Sequence, residues 1–463
     1  MPTISFSGLA SGIDSDAIIK AMTDAKRLAA TPLENKVEIN KQETTALEEF
    51  NTKLLTLSDS VKDFLTLAGG SLSKTVRSSN SDAITATASS GAALLTSTIT
   101  VEQLARPATV SFDDRFSSNT DPIAPTLSGP TDLTFTIGQG SNLKTITVAV
   151  DETTTLSDLA EKLNQEGAGL LQASVINVGT ETTPSYTLYL GGLASGEDAG
   201  LLSVQPSSEL ATAGLFQSYS LQQAQNSVFT VSGVGQITRQ TNQVSDILPG
   251  ISLDLKQVTN APVSLSVNYN AEKTAEKVRA LVEAMNEVIK YSRDNSTIER
   301  VDGESGPKNQ YGTLARTRID EQAVQSVKEA ISNPIVRDDA KVRVLADLGI
   351  TTQRDGTLGF DEKIFTEALG KDPAAANEIL SNAADKLGSA SGVISGFTKY
   401  QGQIDIALSS NEKENESVQD RLDRIEQSIA RQTESLRLLF ANLESTIGRL
   451  NSQSSAISQI LAA

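Results

Sequence analysis

Residues 418–460 read VQDRLDRIEQSIARQTESLRLLFANLESTIGRLNSQSSAISQI, and the large aliphatics Leu422, Ile429, Leu436, Leu443, Leu450 and Ile457 recur there at strict seven-residue intervals. Seven residues make two turns of a slightly underwound helix, so these side chains form one lane along a helix face. A second lane starts with Val418 and Ile425 and returns at Leu439 and Ile460, with Gln432, Thr446 and Gln453 interrupting it. Phe440, Ile447 and Leu461 widen the stripe on its other flank. No proline follows Pro373, and charges alternate from Glu412 to Arg437, as on the flanks of a coiled-coil seam. The pattern predicts a long helix over 411–463 that pairs with other helices. Its polar second lane argues against an autonomous dimer and suits a helix that orders on assembly.

The other end of the chain carries a matching pattern. Leu33, Val37, Leu47, Leu54, Val61, Leu65 and Ala68 are spaced for a repeat of about 3.5 residues, with Asn40 and Thr44 as polar interruptions. Thr31-Pro32 is a natural start and Gly69-Gly70 a natural stop. Such a helix is roughly 50 Å long, more than a small globular domain covers. From Asn270 the pattern is helical again, with Val278, Leu281, Val282, Met285 and Ile289 on one stripe.

Between the helical ends, short alternating runs dominate. Ile84–Ala88, Ser97–Val101, Leu133–Ile137, Thr145–Val150, Tyr186–Leu190, Val228–Val231, Ile251–Leu255 and Val263–Val267 alternate Thr or Ser with aliphatics. That is the pattern of half-buried antiparallel strands. Pro122, Pro125, Gly129 and Pro130 mark one break, and Gly191-Gly192 through Gly200 another. The expected fold is α+β: long N- and C-terminal helices forming a coiled-coil stem and a helical leg domain, with two antiparallel β-domains inserted between them. The expected parts are a flexible N-terminal segment (1–32), a helical leg domain (33–76 and 270–410), an inner β-domain (77–117 and 225–269), an outer β-domain (118–224) and the C-terminal helix (411–463).

Composition narrows the function. The 463 residues carry a formal net charge of −18, 4% aromatics and no Trp, and they contain neither Cys nor His. An acidic surface without a basic patch repels phosphate backbones and anionic membranes, so nucleic acid is not an expected partner. Thiolate nucleophiles, Cys/His zinc sites and Ser-His-Asp catalysis are excluded by the missing residue types. No run approaches about 18 uninterrupted apolar residues, so no membrane span is expected. The first basic residue is Lys20 and no apolar h-region follows, so the start does not read as a secretory signal.

The remaining chemical candidates read as structure. Pairs such as Asp113-Asp114 and Asp338-Asp339 are ordinary in an acidic chain and read as solvated. Asp355-Gly356-Thr357-Leu358-Gly359 lacks the run of carboxylates a calcium loop needs and reads as a tight turn into a strand. Gly8 and Gly12 do not follow a strand, so no phosphate loop is expected there; Ser15 or Asp16 is the expected cap of a helix over Ala17–Met22. No enzyme activity and no cofactor or metal is expected.

Several segments, in order, resemble the flagellar filament cap (hook-associated protein 2) family: ISFSGLASGID at 4–14, DILPGISLDL at 246–255, LVEAMNEVI at 281–289, LADLGITTQRDGTLGFD at 345–361 and LLFANLESTIGRLNSQSSAI at 438–457. TLSDLAEKLNQ at 155–165 is similar to a strand-helix motif of flagellar axial proteins, Met285 stands where the family usually has an aromatic, and residues 115–225 match least. The resemblance implies a homo-oligomeric ring at the distal tip of the filament, outside the cell, with helical legs in the flagellin lattice. It also implies export through the flagellar secretion channel without a cleaved signal, and an export chaperone on the C-terminal helix. Candidate residues for self-assembly, flagellin or chaperone contact are Leu422, Ile425, Ile429, Leu436, Leu439, Phe440, Leu443, Ile447, Leu450 and Ile457, with Phe6, Leu9, Ile13, Ile18 and Met22 from the N-terminal segment. The alternatives are a tip adhesin whose outer β-domain binds host mucin or glycan, and another flagellar axial (junction) protein.

Overall fold

The computed structural model describes residues 14–66, 69–200, 202–303 and 306–461. Helix α1 (Ser15–Arg27) is capped by Asp14, whose carboxylate accepts the Ala17 N–H at 2.9 Å. The cap is therefore one residue before Ser15 and two before Asp16, and Ser15–Arg27 of the segment expected to be flexible is helical. The reason is visible in α1 itself: Ser15 and Ile19 are buried. Helix α2 (Thr31–Lys62) starts with Pro32 in its first turn and stops at Lys62, short of Gly69-Gly70, while Ala68 lies outside the described residues.

Residues Leu72–Ala271 form one compact unit, and the flanks on either side of it form the other. Within the first unit, β1 (Lys74–Ser78), β2 (Ile84–Ala88) and β3 (Thr96–Gln103) begin an inner sandwich. An outer body follows: β4 (Thr109–Phe112), β5 (Thr131–Ile137), β6 (Lys144–Val150), α3 (Leu156–Glu166), β7 (Leu171–Asn177), β8 (Tyr186–Gly192), α4 (Glu197–Gly200), β9 (Leu202–Pro206), α5 (Ser208–Thr212) and β10 (Tyr219–Gln222). The chain then returns to the inner sandwich through β11 (Ser227–Val231), β12 (Gly235–Arg239), β13 (Gln243–Leu248), β14 (Ile251–Leu255) and β15 (Val263–Tyr269).

The inner sheets run β1-β15-β3-β11-β12 and β13-β14-β2, and the outer ones β10-β4-β8-β7 and β6-β5-β9, all antiparallel. Two separate apolar cores result. Ile84, Ile99, Phe229 and Leu253 belong to one, and Phe112, Phe135, Leu159 and Phe216 to the other. Every alternating run read from the sequence is a strand. The crossing between the two bodies differs from the expectation at 118, because β4 pairs with β8 and β10 of the outer sheet. An isolated bridge between Arg106 and Gln225 marks the neck, so the proline-rich stretch after 120 is a loop of the outer body. Helix α3 is fastened at both ends: Thr155 and Asp158 form a capping box, and the Asn164 amide clasps both backbone groups of Ala173 in β7.

The second unit is mostly helical: α6 (Ala271–Ser296), the hairpin β16 (Ile298–Gly303) and β17 (Gly306–Tyr311), α7 (Ile319–Ser332), β18 (Ile350–Thr352), β19 (Leu358–Phe360), α8 (Glu362–Lys371), α9 (Pro373–Gly388), α10 (Val393–Thr398) and α11 (Gln403–Leu461). The long helix thus begins at Gln403 rather than 411, because Ile404 packs into the body and is 2% exposed. Asp355–Leu358 is the expected tight turn into a strand: Gly356 has φ +82°, and Asp355 accepts the Thr357 N–H at 3.1 Å. That turn is anchored from α6. The Asn286 side chain donates to the Leu358 carbonyl at 2.8 Å and accepts the Leu358 N–H at 2.7 Å. Two of the sequence segments that carried the resemblance are joined by this one side chain.

Asn286→Ala leaves both backbone groups of Leu358 without their partner, so the helical unit should lose about 1–3 kcal/mol. Urea unfolding should show a lower midpoint at unchanged slope; an unchanged midpoint contradicts the anchoring role.

Candidate functional site: the seam of the terminal helices

The stem is built by α1 and α2 running antiparallel to α11. As numbers fall on the first two, they rise on the third: Lys36 meets Glu414 at 2.5 Å and Arg27 meets Glu426 at 3.2 Å. At the base of the stem, α2 is locked into the helical body. Leu47, Phe50, Leu54, Leu57 and Val61 are fully buried, and Gly388 lets α9 approach so closely that a Cβ there would lie 2.7 Å from Val61 Cγ1. Tyr291 of α6 lies against Phe50, with ring centroids 6.2 Å apart, and donates its hydroxyl hydrogen to the Ala46 carbonyl or Glu49.

Above this base the seam changes character. Asn40 and Glu43 of α2 and Asn411 of α11 are buried, and Asn415 is half-buried. The Asn411 amide donates to Glu43 Oε1 at 3.0 Å. The Asn40 amide donates to Asn415 Oδ1 at 3.1 Å and to Glu414 Oε2 at 3.2 Å. Lys36, then Asn40, hold the Glu414 carboxyl below the usual carboxylate range, although Glu414 is largely solvated and the effect on stability is correspondingly small. The sequence marked Asn40 only as an interruption. Glu43, Asn411 and Asn415 escaped it, although the signal was present: Asn411 stands one heptad before Val418.

Beyond this layer the apolar lane is covered progressively less. Val418 is buried, and Leu422, Ile425, Ile429, Leu436, Phe440 and Ile447 are half-buried. Leu443 is 39% exposed, and Leu439, Leu450 and Ile457 are each 57% exposed. Gln432, which interrupts the second lane, has its Oε1 buried with no hydrogen-bond partner among the described residues. On α1, Ile18 is 39% and Met22 46% exposed, while Phe6, Leu9 and Ile13 lie outside the described residues. A heptad stripe open toward its end leaves an apolar face in water, which is costly for a face of this length.

Titratable groups elsewhere in the helical unit serve packing. Asp320, at the start of α7, is fully buried, and its Oδ2 accepts from the Ser292 hydroxyl at 2.6 Å. Burial pushes its carboxyl up from the ordinary value, with hydrogen bonds opposing. It is enclosed rather than set in a cleft where substrate could reach it. Asp372, whose carboxyl is held down to about 2 by the Lys341 and Ala375 N–H groups and by Arg337, caps α9.

A raised carboxyl in the folded state means that stability is highest below the unfolded value of about 4 and falls as pH rises through the folded value. Asp320→Asn keeps an acceptor for Ser292 and removes the buried charge. Its unfolding temperature should exceed the parent's at neutral pH, and the difference should vanish in acid; an equal loss of stability at all pH contradicts this.

The chain has clear relatives. The family model described as the flagellar hook-associated protein 2 N-terminus matches residues 11–108, and that for its C-terminus matches 224–452. Between them they span most of the chain and leave out much of the outer β-body. The A-type flagellar hook-associated protein 2 of Pseudomonas aeruginosa is 26% identical over 98% of this chain and 96% of its own length. The Escherichia coli K12 protein is 27% identical over 99% and 98%. A Campylobacter jejuni relative is 26% identical over 82% of this chain, which spans only 64% of that longer protein. The crystal structure of the D1-D2-D3 domains of the flagellar cap protein from Escherichia coli superposes with a TM-score of 0.57 at 23% identity, covering 81% of this chain and 99% of that one. The last comparison establishes the fold, and together they favour a cap over an adhesin.

Proposed function

Because the chain belongs to the flagellar hook-associated protein 2 family, we propose that it caps the distal end of a flagellar filament, promoting flagellin polymerisation and preventing loss of flagellin monomers. The observation that carries this reading is the apolar stripe of α11, open from Leu439 to Ile457 among the described residues. A filament grows by adding subunits at its end, so a cap must hold its place while the lattice beneath it changes. Helices that are only partly covered by their own chain can exchange partners without unfolding the domains they carry. The β-bodies have complete cores of their own and would supply the rigid plate.

On this reading several copies form a ring, with the exposed stripe contacting flagellin or neighbouring copies. Before assembly the same stripe is an aggregation hazard, which an export chaperone would cover. Delivery through the flagellar secretion channel is consistent with a chain lacking Cys, since nothing in it needs oxidative folding. The protein works by assembly and performs no covalent chemistry.

Deleting the gene should leave hook-bearing cells that shed monomeric flagellin into the medium; normal filaments on such cells contradict the cap function. Leu443→Ala with Leu450→Ala should reproduce the shedding in part while leaving the unfolding temperature of the β-bodies unchanged, because those side chains touch neither core. Full filament length in that variant contradicts the role assigned to the stripe.

A further inference from the structure

We propose that the buried polar layer of Asn40, Glu43, Asn411 and Asn415 is the register lock of the stem, a set of positioning residues that fixes how far the tip of α11 reaches. The apolar lanes cannot do this. Ile404, Asn411, Val418 and Ile425 occupy one lane and Leu408, Asn415, Leu422 and Ile429 the other, each repeating every seven residues. A slide of one heptad, about 10 Å along the axis, therefore sets aliphatic against aliphatic again over most of the seam.

Within the seam it is the polar contacts that break that degeneracy, adding to the packing of Ile404 into the helical body at its base. After a one-heptad slide in either direction, Glu43 faces Ile404 or Val418 in place of Asn411, and Asn40 faces Leu408 or Leu422 in place of Asn415. Glu43 then has no donor across the seam at a buried position, which is strongly unfavourable. Both ion pairs fail as well: Lys36 would face Ala407 or Arg421 instead of Glu414, and Arg27 would face Gln419 or Thr433 instead of Glu426. Those pairs are exposed and contribute little, so the buried layer carries the discrimination. Buried polar residues in a helical seam characteristically lower stability while specifying one register.

The lock follows from the helix pair alone. Its use, placing Leu443, Leu450 and Ile457 at a defined height for assembly, rests on the cap reading above.

The absence of Cys makes the test clean. In the full-length chain, Arg27→Cys is combined in turn with Glu426→Cys, Gln419→Cys or Thr433→Cys, and cross-linking by a short bifunctional thiol reagent is measured, since the Arg27–Glu426 ion pair joins the tips of two long side chains. The expected result is cross-linking at 426 and none at 419 or 433. With Asn40→Leu, Glu43→Leu and Asn411→Leu added, cross-linking at 419 or 433 should rise to a level comparable with 426. Exchanging the bonded partners, Glu43→Asn with Asn411→Glu, should restore a single register; this variant decides the matter if the apolar one does not fold. Cross-linking confined to 426 in the apolar background overturns the lock, as does a folded exchange variant with mixed registers. Flagellin shedding by the apolar variant separates the two claims: mixed registers with full-length filaments sink the link to assembly and leave the lock standing.

Discussion

A helix of 59 residues with an apolar lane along its length must cover that lane, and the architecture follows from how much of it the chain covers. Near the body, α2 and the short helices around it bury Ile404 and Val418 and half-bury Leu408 between them. Farther out, α1 and the start of α2 supply a narrower partner, and the lane becomes half-exposed and then exposed. The free energy that holds α11 is therefore concentrated at one end. The other end is helical but short of contacts, which is the condition for order that depends on association.

The same economy shapes the insertions. An excursion between two helices that must stay together has to return near its starting point, and here each body is closed by pairing its first strand with its last. β1 and β15 pair from Lys74 opposite Tyr269, and β4 and β10 pair from Thr109 opposite Gln222. The Arg106–Gln225 bridge closes the neck between the bodies. Antiparallel pairing of entry and exit makes each body a self-contained unit with its own core, so the outer one can diverge in sequence without disturbing the stem. That accounts for the match of the family models to both ends of the chain and the gap between them across the outer body.

Much of this was legible in the sequence because it rests on periodicity. Heptads in α11 and two-residue alternation in β5, β8 and β14 are direct records of which face is buried. Elements without that record were missed: β16 reads Ile-Glu-Arg-Val-Asp-Gly, whose charges hide its pairing, and β4 is too short to show a pattern. The neck was misplaced because prolines signal a break in the chain without saying which body the loop belongs to. In the stem, Glu43 and Asn411 are single polar residues far apart in the chain. Only the antiparallel pairing brings them together across 368 positions, and no local pattern reports that. The exposed stripe was legible as apolar residues, whereas the gradient in its coverage needed the structure.

The measurement that bears most directly on this account is hydrogen exchange along α11 in the free protein and in the assembled filament tip. The account predicts strong protection of 404–418 in both states, and weak protection of 439–457 in the free protein that rises sharply on assembly. Equal protection along the whole helix in the free protein, or no gain on assembly, would contradict it.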